Sequence, residues 1–139
     1  MAYLLDTDVL SGIRRPDRIP PNLEKWLRSL SANEVFLSVM TIGEIEKGIA
    51  KQQHIDPEFA SDLQLWLDQL LTYYAERILP VTTEIARRWG ALTQQVANPN
   101  VDIGIAATAL EHGLTVATRN TKHFDGTGAS VFNPFESTE

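Results

Sequence analysis

The feature that most constrains this chain is the alternation of short apolar runs with longer amphipathic stretches, and the near absence of hairpin signals between them. Apolar runs fall at 3–5 (YLL), 34–39 (EVFLSV), 78–81 (ILPV), 114–117 (LTVA) and 130–132 (SVF). Antiparallel neighbours can be joined by a two-residue turn, whereas a parallel return needs a crossover of a dozen or more residues, usually a helix. Strands separated by helical stretches therefore predict an α/β sandwich with a mostly parallel central sheet.

The intervening stretches carry helical spacing. Leu23, Trp26, Leu27 and Leu30 recur on one face, as do Ile42, Ile45 and Ile49 of a helix opened by Thr41. The clearest stripe is Phe59, Leu63, Trp66, Leu67, Leu70 and Tyr74, over about four turns. Ile85, Trp89, Leu92 and Val96 mark another helix, and residues 98–100 (NPN) interrupt it. Asn100 is placed to cap a small-residue helix over 101–112, which Gly113 closes in the C′ position. Residues 14–21 and 52–57 read as connections, and Gly126 and Gly128 as a turn. No repeat or linker divides the 139 residues, and 43% hydrophobic composition builds one core, so a single domain over 1–139 is expected.

Composition removes several chemistries. Cysteine is absent, which excludes disulfides, thiolate metal sites and cysteine nucleophiles and is compatible with a reducing cytoplasm. Twelve basic against eighteen acidic residues give a net charge of -6, which argues against broad electrostatic capture of nucleic acid but leaves room for a local basic rim. The N-terminus (MAYLLD) has neither a basic region nor a long apolar one, and no apolar run approaches the roughly 18 residues of a membrane span. A soluble, cytoplasmic protein is expected.

In open parallel sheets ligands bind beyond the carboxyl ends of the strands. Here those ends are acidic: Asp6 and Asp8 follow the first strand, Glu44 lies inside the helix after the second, Asp102 opens the helix before the 114–117 strand, and Asn120 follows that strand. Taken singly each is a helix cap or a first-turn acid, and residues 41–44 (TIGE) match a capping box. Jointly they place acids from three segments at one end of the sheet, where caps alone would not gather them. Such a cluster repels itself unless a cation neutralises it, and oxygen donors without His or Cys suit Mg²⁺ or Mn²⁺. His54, His112 and His123 show no metal-ligand spacing, and phosphate-loop, dinucleotide and nucleophile-elbow motifs are absent. The three tryptophans fall on core stripes, and Arg14, Arg15 and Arg18 on a solvated loop.

Four stretches together resemble the PIN-domain ribonucleases, specifically VapC-type toxins and the similar FitB-like proteins: residues 4–11 (LLDTDVLS), 37–48 with its TIGEIEKG, 102–109 (DIGIAATA) and 114–120 (LTVATRN). They occur in family order and span nearly the whole chain. The resemblance implies a three-layer α/β/α domain and an acidic site holding Mg²⁺ or Mn²⁺ for RNA hydrolysis, with Asp6, Glu44 and Asp102 at the family's acid positions. The fourth position, often Asp, is Asn120, which offers an amide oxygen without the charge. Thr7 and Thr118 would orient carboxylates or water, Arg14, Arg15, Lys47 and Arg119 would meet RNA, and His123 and Asp125 lie near this edge without an assigned role. The resemblance also implies a homodimer, with exposed apolar residues over 59–74 as a candidate surface, and a cognate VapB-like antitoxin whose basic side chain enters the acidic groove.

Two rivals remain at this point. Residues 6–9 (DTDV) fit the start of haloacid-dehalogenase-like phosphatases with Asp6 as nucleophile, although the later Lys and acidic pair of that class are not evident. The other is a binding module of the same fold, weakened by Asn120.

Overall fold

The computed structural model describes residues 1–97, 99–100 and 102–137. Five short strands, β1 (Tyr3–Leu5), β2 (Val35–Ser38), β3 (Ile78–Leu79), β4 (Thr115–Ala117) and β5 (Val131–Phe132), form one sheet in the order β3-β2-β1-β4-β5. Every neighbouring pair is parallel, with Tyr3 opposite both Val35 and Thr115. The helices are α1 (Thr7–Ile13), α2 (Pro21–Arg28), α3 (Val39–Gln52), α4 (Pro57–Tyr73), α5 (Thr83–Gln95) and α6 (Asp102–His112).

Side chains alternate across a strand, and this alternation sorts the layers. Leu5, Leu37 and Ala117 face a core built with Val9 and Leu10 of α1, Leu23 of α2, Ile45 and Ile49 of α3 and Leu67 and Leu70 of α4. Their neighbours Leu4, Phe36 and Val116 face the opposite core, with Ile105, Ala106 and Ala109 of α6 and Phe124. Ile85 and Leu92 of α5 then cover the outer side of α6 at Ile103 and Ala107. The α/β/α sandwich expected from the sequence is borne out. Each fully buried leucine stabilises it by about 1.5–3 kcal/mol.

Most boundaries lie within a residue or two of the sequence reading. The helix expected from 101 begins at Asp102, and Val101 and Asn98 lie outside the described residues. At its other end Gly113 has φ 65°, the Gly113 N–H donates to the Leu110 carbonyl and the Leu114 N–H to the Ala109 carbonyl, which together close the helix. One expectation is corrected. α3 starts at Val39 rather than Thr41: the Ser38 hydroxyl accepts from the Met40 N–H at 3.0 Å and caps the helix directly from the end of β2. Thr41 is inside the first turn, its buried hydroxyl without a hydrogen-bond partner among the described residues, so Thr41 and Glu44 form no capping box.

The chain runs outward from β1 through β2 to β3, then returns to the other side of β1 for β4 and β5. The crevice beyond the carboxyl ends of β1, β2 and β4 is therefore the switch point at which parallel sheets bind ligands.

Candidate active site

Asp6 is fixed from both sides of that crevice. Its backbone N–H continues the sheet ladder to the Ala117 carbonyl at 3.0 Å, while Oδ1 caps α1 by accepting from the Thr7 N–H at 2.8 Å. Oδ2 accepts from the hydroxyl of Thr118, just past β4, at 2.9 Å. Asp6 is 5% exposed, and that burial first, then the nearby Asp102 carboxylate, pushes its pKa up to about 6. The hydrogen bonds from Thr118 and Thr7 act in the opposite direction and are outweighed.

Asp8 adds a second carboxylate to the same corner. Its Oδ2 accepts from the Arg119 N–H at 2.9 Å and from Asn120 Nδ2 at 3.3 Å, while Oδ1 is buried without a hydrogen-bond partner among the described residues. Burial raises its pKa despite these donors. Asn120 thus turns its amide N–H₂, rather than its oxygen, toward the nearest carboxylate; the flipped amide would set oxygen against oxygen.

Glu44 approaches from α3, where its Oε1 accepts from the Thr7 hydroxyl at 3.1 Å. Partial burial raises its pKa, and the charges of Asp102 and Asp8 add to that rise. Asp102, 8% exposed, arrives on the first turn of α6, its backbone N–H held by Asn100 Oδ1 at 2.8 Å. Its Oδ2 lies 2.8 Å from His123 Nδ1.

The structure thus brings Asp6, Glu44 and Asp102 together electrostatically, and adds Asp8 and His123. The sequence held a signal for Asp8, because a helix start needs only one capping acid and residues 6–8 supply two. It placed His123 near this edge but gave it no role, because its meeting with Asp102 depends on how residues 121–124 dock on α6. Asp125 instead lines a hollow of about 180 Å³ with Asn100, Lys122 and His123. Arg119 stacks on the Phe135 ring at 3.8 Å beside the cleft. Arg14 stands over Phe59 and lines a larger groove of about 500 Å³ with Leu27, Trp66, Tyr73 and Arg77, which shares no residue with the acids.

Among the described residues, no three His, Asp or Glu side chains close into a ready-made metal cage. The donor set nevertheless fits a hard divalent ion: the nearly buried Asp6 and Asp102 beside the more exposed Glu44, with the ionisation of Asp6 and Glu44 opposed by desolvation and by neighbouring carboxylates, and an unpartnered buried oxygen on Asp8. Mg²⁺ commonly binds through one or two carboxylates and keeps several waters, so a closed cage is not required.

A parallel α/β/α sandwich with buried acids gathered at its switch point defines a class, and the PIN domain family model matches residues 3–129: the chain belongs to the PIN domain family. Among its relatives, Toxin FitB of Neisseria gonorrhoeae is 36% identical over 95% of this chain and 97% of its own length. The VapC ribonuclease Y4jK of Sinorhizobium fredii is 32% identical over 96% of this chain and 97% of its own. The crystal structure of FitAcB from Neisseria gonorrhoeae superposes with a TM-score of 0.85 at 34% identity, covering 97% of this chain and 99% of that one. The family expected from the sequence motifs is borne out, and the phosphatase reading of Asp6 gives way to it.

Proposed function

We propose that this chain is the ribonuclease toxin of a type II toxin–antitoxin pair, cleaving RNA phosphodiesters with Mg²⁺ or Mn²⁺ at the acidic site. The observation that carries the reading is the burial of like charges: Asp6 is almost wholly buried beside Asp102, an arrangement that folding alone disfavours. Relatives named as a toxin and as a ribonuclease over nearly the full chain support it.

When bound, the ion would polarise a phosphoryl oxygen and lower the pKa of a bound water, the nucleophile for in-line hydrolysis. Asp6 and Asp102 would hold it. Glu44 is a third ligand or holds the attacking water, and its greater exposure and single tether to Thr7 favour the second role. Thr118 fixes Asp6, while Asn120 steadies Asp8 by its amide N–H₂. Lys47, Arg119, Arg14 and Arg15 supply local cations for RNA against the overall charge of -6.

A cognate VapB-like antitoxin would block the site with a basic side chain, and the FitAcB structure supports such a partner. A homodimer in the cytoplasm completes the reading; no helix among the described residues is long and apolar enough to cross a membrane. Leu65 and Tyr73 of α4, 63% and 62% exposed, are candidates for the dimer surface.

The test is cleavage of total RNA by purified protein freed of any partner, with Mg²⁺ or Mn²⁺ and with EDTA, beside Asp102→Asn prepared identically. Metal-dependent cleavage, lost in EDTA and in Asp102→Asn, is expected. Intact RNA under every condition from folded protein would move the reading to a binding module.

A further inference from the structure

Asp102 differs from the other acids in having an imidazole as its side-chain partner, on a segment that is itself held in place. Its Oδ2 lies 2.8 Å from His123 Nδ1, and with the carboxylate ionised the tautomer carrying its proton on Nδ1 makes this a hydrogen bond donated by His123. The His123 N–H donates to the Asn120 carbonyl at 3.0 Å, and the His123 carbonyl accepts from Asn100 Nδ2 at 3.2 Å. Asn100 Oδ1 in turn accepts from the Asp102 N–H. A closed circuit results, running from the Asp102 carboxylate through the imidazole and backbone of His123 to the Asn100 amide and back to the Asp102 backbone. The next residue, Phe124, is buried at 3% exposure and pins this segment beneath α6.

The circuit is more than the fold requires. The His123 side chain is 53% exposed, so its burial adds little to the fold. What it fixes is one oxygen of a nearly buried carboxylate. Among the described residues the other, Oδ1, accepts no hydrogen bond.

We propose that His123 is a positioning residue for the acidic site: it holds Asp102 Oδ2 from the outer side, stops the carboxylate turning, and keeps Oδ1 available to a divalent ion. The inference rests on the metal-dependent reading above. An outer donor of this kind sets the orientation of a ligand without touching the ion, and losing one typically costs 10–100-fold in metal affinity or activity. Asn100 supports the arrangement from behind by fixing the backbones of both partners.

The experiment is titration of metal-free protein with Mn²⁺ alone, counting free ion by electron paramagnetic resonance, for wild type, His123→Ala and His123→Asn, with a thermal melt of each. His123→Ala is expected to weaken Mn²⁺ binding about tenfold while leaving Tm within about 2 °C of wild type. His123→Asn, whose amide N–H₂ can replace the Nδ1–H donor, is expected to recover most of the affinity. Equal affinity in His123→Ala and wild type overturns the proposal, as does a loss that His123→Asn leaves unrelieved. Wild type that takes up no Mn²⁺ overturns the metal-dependent reading itself, an outcome distinct from wild-type uptake that is indifferent to residue 123.

Discussion

At the scale of the residue, Asp6 shows what the site costs the fold. Its carboxyl ionises near 6 in the folded protein against an ordinary 3.8. Between those values the folded state binds more protons than the unfolded one, so stability falls as pH rises through this window, and above it the penalty stays at about 3 kcal/mol. Asp6→Asn removes the charge but keeps an oxygen to cap Thr7. Asp6→Asn is therefore expected to be inactive with Mg²⁺ or Mn²⁺ and, metal-free, to be more stable than metal-free wild type at pH 7 by about 1–3 kcal/mol in urea denaturation, with the difference closing as pH falls to 4. A variant less stable at pH 7 would show that the Thr118 hydrogen bond outweighs the desolvated charge. This residue was legible in the sequence only through its company, since a single acid at a strand end reads as a helix cap, which Asp6 also is, whereas acids from three segments at one sheet end do not. Glu44 was legible in place but not in local role, since its tether is the Thr7 hydroxyl, 37 positions away in the chain.

At the scale of the element, α6 explains how Asp102 is delivered. Residues 102–109 are all buried, because the helix runs between the sheet and α5 rather than along the surface. Small residues make that close approach possible, and Gly104 is the tightest point: a β-carbon there would sit 2.6 Å from Met40 Sδ and 3.1 Å from Trp89 Cε2. Met40 is flexible, whereas the Trp89 ring packs among Ile85, Ile103 and Ala107 and has little room to yield. Gly104→Val is expected to destabilise by about 1–3 kcal/mol through overpacking, read from urea midpoints, with Met40→Ala in the same chain recovering part of the loss. An unchanged midpoint would mean that the two layers separate more easily than this packing implies. The small-residue run was visible in the sequence as a helix, since alanines favour one, and the closing Gly113 was visible as its end. The start of α3 was not, because Ser38 sits within an apolar run and its capping role depends on β2 passing into the helix without a loop.

At the scale of the molecule, parallel pairing was legible because helices separate the first four strands, with β5 following β4 after only a short 3₁₀ segment at Thr121–Phe124, but the order β3-β2-β1-β4-β5 was not, since periodicity assigns a strand its faces and not its neighbours. That order brings Asp6, Glu44 and Asp102, far apart in the chain, to one crevice, and so couples the stability of the whole fold to whatever neutralises them. An ion that binds only the folded state stabilises it by mass action, about 2.7 kcal/mol at a hundred times its Kd, or on the order of 5–10 °C in Tm for a domain of this size. Mn²⁺ is therefore expected to raise the Tm of wild type at pH 7, EDTA to reverse the rise, and Asp6→Asn to show little of it. Lowering the pH below 6 must shrink the shift, because protons then compete with the ion at Asp6, whose pKa is about 6, and at Glu44 and Asp8, both also raised. A Tm shift of equal size in wild type and Asp6→Asn, or one that persists unchanged at pH 4, would place the ion somewhere other than this crevice.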